Sequence, residues 1–173
     1  LTEPVDEVWT STVQEFKGKQ LKSAGRGAVD LGTEEERKAK AEKNKEQEEA
    51  HSNLFECLKE KLATHIKEVR LSARLTSSPA CLVTDEGDIS PQLEQLLRAS
   101  DQPVPETKRI LEVNAEHPLL DKLQDLYNGD AKDPALDDYA ELLYGQAVIA
   151  EGGQPPNPGK FSKLVADLMV KTL

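Results

Sequence analysis

Two amphipathic helical patterns between Pro134 and Leu173 constrain the fold of this chain more than any other feature. They are joined by a break at Gly152-Gly153-Gln154-Pro155-Pro156-Asn157-Pro158. In the first, Leu136, Tyr139, Ala140, Leu143, Ala147 and Ala150 fall on one stripe of a 3.6-residue period. Leu142, Val148 and Ile149 broaden that stripe. In the second, Phe161, Leu164, Val165, Leu168 and Met169 repeat the spacing. A helical hairpin with that much apolar surface cannot stand alone in water. One face must bury against its own domain, and the other is expected to meet a second copy, as half of an intermolecular four-helix bundle. Periodicity alone is equally satisfied by a helix pair packed within one domain.

The 173 residues suit one ordinary domain, or one domain with a fragment of a neighbour. A net charge of -10 and a pI near 4.9 argue against a nucleic-acid or anionic-membrane surface, which needs clustered Lys and Arg. No apolar run approaches the roughly 18 residues of a membrane-spanning helix. Leu1 opens no signal-peptide pattern, and the missing initiator Met suggests a piece of something longer. Cys57 and Cys81 form no metal-spaced motif and read as small buried hydrophobes in a reducing cytoplasm. Aromatic content is only 4%, so the core must be built from Leu, Val, Ile and Ala.

Along the chain, Pro4 to Phe16 reads as a short helix, with Pro4 and two acids in its first turn. Lys17-Gly18-Lys19 turns it into an extended piece, and Gly25-Arg26-Gly27 is a flexible loop lacking full phosphate-loop spacing. Thr33 to Asn53 is densely charged, with Thr33 and Glu36 in capping-box register and Glu34–Lys38 and Glu36–Lys40 as i,i+4 pairs. From Leu54, through Phe55, Leu58 and Leu62, the same long helix turns amphipathic and should dock. Lys67 to Arg74 alternates, Thr76-Ser77-Ser78-Pro79 turns, and Ala80 to Thr84 is a buried-looking strand, together reading as a β-hairpin. Arg109 to Asn114 supplies a third strand, and a helix over 116–128 follows. Between the strands, Ile89, Leu93, Leu96 and Leu97 are spaced as one face of a short helix opened by Ser90-Pro91.

Several of these stretches resemble the ninety-kilodalton heat-shock chaperone family (heat shock protein 90), in its bacterial, HtpG-type branch. Val69-Arg70-Leu71-Ser72-Ala73-Arg74-Leu75-Thr76-Ser77-Ser78-Pro79-Ala80 resembles its "V-x-x-S-x-R-L-x-x-S/T-P-A/C" segment. Leu111-Glu112-Val113-Asn114-Ala115-Glu116-His117-Pro118-Leu119-Leu120 is similar to "L-E-I/L-N-P-x-H-x-L/I-I". Leu142 to Gly152 is similar to the dimer-helix pattern "L-L-x-x-Q/T-A-x-L-A-x-G". Glu15-Phe16-Lys17-Gly18-Lys19 looks like the "E-F-x-G-K" that closes the family's middle domain. The resemblance runs through nearly the whole chain in order.

The resemblance implies an α+β fold: a long N-terminal helix, a small three-stranded sheet, and a C-terminal helical cluster that dimerises. Residues 1–32 would close the middle domain, and residues 33–173 would form the C-terminal dimerisation domain. The implied function is to hold two protomers of an ATP-dependent chaperone together and to offer an amphipathic helix to unfolded client proteins. Leu136, Tyr139, Ala140, Leu143, Ala147, Ala150, Phe161, Leu164, Val165, Leu168 and Met169 would form the dimer interface, and Ile89, Leu93, Leu96 and Leu97 the client-binding helix. An ordinary docked helix is the alternative for that last group. ATP and Mg would belong to the full-length protein, so this chain is expected to bind no cofactor and to be no enzyme. The expected partners are a second copy and client proteins, with no nucleic acid, no membrane and a cytoplasmic location. Without the acidic "M-E-E-V-D" tail of eukaryotic members, no tail-recruited co-chaperone is expected. His51, His65 and His117 are scattered, for surface or capping roles. Acid pairs such as Asp137-Asp138 and Glu48-Glu49 read as solvated faces. A stand-alone dimeric scaffold or adaptor, and a regulatory domain of an enzyme, are the rival readings.

Overall fold

The structure, a computed structural model, describes residues 13, 15–20, 34–85, 88, 94, 97, 100 and 108–172. By its contacts the chain divides into two units, residues 1–29 with 84–107 and residues 30–83 with 108–173.

In the first unit, Glu15–Phe16 (β1) pairs antiparallel with Lys19–Gln20 (β2). Lys17 and Gly18 both take positive φ, 52° and 75°. A two-residue hairpin needs that left-handed pair, because its twist then matches the twist of the strands. Phe16 therefore ends a strand and not a helix, with its side chain 56% exposed, which corrects the helical reading at this point. Residues 4–12 of that reading, Gly25-Arg26-Gly27 and the Thr33 cap lie outside the described residues.

The second unit opens with α1, a 28-residue helix over Glu34–Lys61. Its buried side chains among those described are Leu54, Phe55 and Leu58, and Leu62 follows in the turn beyond. Three strands come next: β3 (Ile66–Leu71), β4 (Ala80–Val83) and β5 (Arg109–Val113). The sheet order is β3-β5-β4. β5 runs parallel to β3 and antiparallel to β4, so β3 and β4 are not the hairpin that their spacing suggests. The reason lies in β5. Ile110, Leu111, Glu112 and Val113 are all buried, the near-continuous burial of a central strand covered on both faces. A strand with that composition displaces the weaker direct pairing of its two flanking neighbours.

The β3–β4 connection consequently arches over the C-terminal end of β5, where three contacts hold it. Ser72 N–H donates to the Val113 carbonyl at 2.8 Å, Asn114 N–H to the Pro79 carbonyl at 2.9 Å, and Asn114 Nδ2 to the Ser78 carbonyl at 3.1 Å. Beneath the arch lies a buried charge. Glu112 is 3% exposed, and a carboxylate so placed is tolerable only when paired. Arg70 donates to it at 2.8 Å, Arg74 at 2.9 Å and the Ser72 hydroxyl at 3.0 Å. Ser72 Oγ also accepts the N–H groups of Arg74 and Leu75, so the arch and the ion cluster share one hydroxyl.

Helix α2 (Pro118–Gly129) starts where His117 Nδ1 accepts the N–H of Leu119 and Pro118 occupies the first turn. It lays Leu120 and Leu123 into the core. Helix α3 (Ala135–Ala150) follows, its first N–H accepted by the Asp133 carboxylate. The core joins Leu54, Leu58, Ile66, Leu111, Leu120 and Leu136, so one apolar interior binds α1, the sheet, α2 and α3. Helix α4 (Pro158–Thr172) completes the unit.

Candidate self-association face

The α3–α4 hairpin is built by its caps. After α3, Gly152 takes φ 81°, its N–H bonds the Ile149 carbonyl at 2.9 Å, and Gly153 N–H bonds the Val148 carbonyl at 2.9 Å. Those paired bonds stop the helix and reverse the chain. Pro155 and Pro156 prevent its resumption until Asn157 Oδ1 accepts Lys160 N–H at 2.9 Å, with Pro158 as first residue of α4. Lys160 Nζ then reaches Glu141 at 2.8 Å, tying the start of α4 to the middle of α3.

Helix α3 is used on both sides. Leu136, Ala140, Leu143 and Ala147 face the core of their own chain and are 2% exposed or less. On the opposite side the Phe161 ring lies against buried Gly145. Tyr139 and Leu142 face Leu164 and Leu168 across a shallow groove, with Asp138, Asp167 and Lys171 also lining it. Leu164, at 9% exposed, is the only buried side chain of α4 among those described. Phe161, Val165 and Leu168 are half-buried, and Ala150 is exposed.

The eleven interface candidates therefore fall into two groups. Five are buried inside the protomer, Leu136, Ala140, Leu143 and Ala147 on the inner face of α3 and Leu164 on α4. Of those left on or near the surface, Met169 is 60% exposed, and two side chains that the interface reading passed over are exposed as well, Ile149 at 48% and Val170 at 76%. Exposed apolar side chains thus stand at both ends of the hairpin, Ile149 beside its turn and Met169 with Val170 near the end of α4. Val170 sits off the 3.6-residue stripe of α4, which is why periodicity did not select it. Of the candidate client-binding residues, Leu97 is helical and half-buried, and Ile89, Leu93 and Leu96 lie outside the described residues.

Several polar groups singled out in the sequence have structural roles. His51 hydrogen-bonds Gln124 at 2.7 Å, His65 stacks on Tyr144 with centroids 5.0 Å apart, and His117 caps α2. Asp137 accepts from Lys61 at 2.8 Å. Cys57 and Cys81 are half-buried, less enclosed than small core hydrophobes would be. Burial raises both thiols above the ordinary range, that of Cys81 to about 11 with help from the Glu112 charge. A thiol held neutral is a poor nucleophile. Among the described residues no group of His, Cys, Asp and Glu is placed to hold a metal ion.

The cluster of Ser72, Arg74 and Glu112, and the Asn114 staple, unite two sequence motifs in one piece of geometry. A family model described as Hsp90 protein matches residues 1–173, the whole chain. The chain belongs to the Hsp90 family. Hsp90-family relatives named chaperone protein HtpG include that of Mycobacterium leprae, 52% identical over 176 residues. That of Rhodococcus jostii is 48% identical over 173 residues. Each comparison covers 100% of this chain but 27% of the relative, so this Hsp90 segment spans about a quarter of the relatives' length. The relative from Geobacter metallireducens is 47% identical over 98% of the chain. No helix among the described residues is long and apolar enough to cross a membrane.

Proposed function

We propose that this Hsp90 segment is the homodimerisation module of a longer ATP-dependent chaperone. The observation that carries the reading is that Ile149, Met169 and Val170 stay exposed on a hairpin whose inner face is already packed. Exposed apolar surface gathered on one element marks an interaction site. A second copy of the hairpin supplies a matching surface about a two-fold axis, since the same patch serves both protomers. An obligate homodimer buries on the order of 2,000 Å² or more, which requires the groove between α3 and α4 as well as these exposed side chains.

Holding two protomers together keeps their remaining domains at high effective concentration. The segment around Ile89, Leu93, Leu96 and Leu97 offers unfolded clients apolar side chains, a form of adhesion that favours breadth over specificity. Nucleotide turnover, with its ATP and Mg, belongs to the remainder of the protein, and the whole acts in the cytoplasm. Sedimentation equilibrium over a wide dilution range tests the central claim. A mass near twice 19.1 kDa that persists on dilution supports it, and a clean monomer refutes it.

A further inference from the structure

Glycine inside a helix is disfavoured relative to alanine, so a glycine in the middle of α3 calls for a compensating contact. At Gly145 the contact is explicit. A Cβ on residue 145 would stand 2.4 Å from Cδ2 and 2.6 Å from Cε2 of Phe161. Carbon atoms approach favourably only to about 3.5 Å. The obstructing atoms belong to an aromatic ring in the first turn of α4, not to the free end of a flexible side chain. That turn is itself fixed by the Asn157 cap and by the Lys160–Glu141 ion pair. Phe161 therefore has little room to retreat.

We infer that Gly145 is a positioning residue for self-pairing: by admitting the Phe161 ring it sets the depth and angle at which α4 lies on α3. The inference rests on the homodimer reading above. Phe161 lies near one end of α4 and Met169 two turns beyond, about 12 Å along the axis. A displacement at the Phe161 end tilts the helix and shifts Val165 and Met169 relative to α3, so the surface that meets a second copy changes shape. Interfaces pack at interior density and are sensitive to shifts of a methyl's width.

The test compares the chain with Gly145→Ala and with Gly145→Ala combined with Phe161→Leu, by sedimentation equilibrium and by amide hydrogen exchange along α4. The single variant should weaken self-association by about tenfold or more, the scale on which overpacking a filled site acts. It should also speed exchange in α4 at dilutions where all species are monomeric. The double variant should return the dissociation constant to within about threefold of the parent, because the shorter side chain vacates the seat. If Gly145→Ala pairs as tightly as the parent or more so, as helix propensity alone dictates, the inference is overturned while the homodimer reading stands. Weakening without rescue overturns it too, since Gly145 would then act through something other than the ring. Should the single variant fail to fold, rescue of both fold and pairing by the double variant decides in favour, and its absence decides against. A parent chain that is monomeric at every concentration removes the homodimer reading, and this inference falls with it.

Discussion

Arg74 grips Glu112 with two prongs from 38 residues away: Nε reaches Oε2 at 2.9 Å and Nη2 reaches Oε1 at 3.1 Å. The Glu112 side chain is 4% exposed and the Arg74 side chain 15%, so water does little to screen the pair. Replacing Glu112 with Ala leaves Arg70 and Arg74 facing each other without their common counter-ion. We expect a loss of about 3 kcal/mol or more, read from the urea midpoint. A change below about 1 kcal/mol would show that the cluster is as weak as an exposed pair.

Leu143→Glu and Leu168→Glu should fail in different ways. Leu143 is 2% exposed within its own core, and a glutamate there unfolds the protomer. Leu168 is half-buried in the α3–α4 groove, so its glutamate variant should keep its circular dichroism spectrum and lose self-association by roughly a hundredfold. A folded Leu168→Glu chain that pairs like the parent removes this residue from the interface.

The Cys81 thiol imposes a slope on stability in alkali. Burial raises it from 9.0 to about 11, so below pH 9.0 folded and unfolded chains are both protonated there and the group contributes no slope. Between pH 9.0 and about 11 the unfolded chain releases a proton that the folded chain keeps, so stability falls as pH rises. Cys81→Ala should flatten the fall of the denaturant midpoint over that window. An unchanged slope would mean that the thiol titrates normally.

Asn157→Ala removes the acceptor for Lys160 N–H and should cost about 1 kcal/mol, confined to α4. Hydrogen exchange at the first turns of α4 should quicken while amides of β5 hold. Equal acceleration in both places would show that α4 does not open separately.

The helices were legible because their signals are local. His117-Pro118, Asn157-Pro158 and Gly152-Gly153 mark ends through bonds that span three to six residues, and the stripe of α3 needs only its own period. The sheet was not legible in the same way. Strand order depends on β5, which arrives after residue 108, and nothing within residues 67–84 registers its presence. The Glu112 cluster was hidden for a related reason: Ser72, Arg74 and Glu112 stood in two separately quoted motifs, and no spacing rule joins them. Phe16 was misread because Val5 to Phe16 carries a helical scatter of apolar residues, whereas the left-handed pair Lys17 and Gly18 dictates a strand at its end. In the hairpin, periodicity chose the inner stripe correctly as apolar, but it could not say which apolar residues the protomer keeps for itself.

The sheet is closed by its last strand. β3 and β4 leave the ribosome first, yet neither holds the other, and each waits with an open edge until residues 109–113 have emerged. A nascent chain arrested before Arg109 thus carries two unsatisfied edges with nothing between them, ready to clasp each other in a wrong, direct pairing. Insertion of β5 must undo that pairing before the arch can close over Asn114. The sheet of this segment accordingly closes only once those five residues have been delivered.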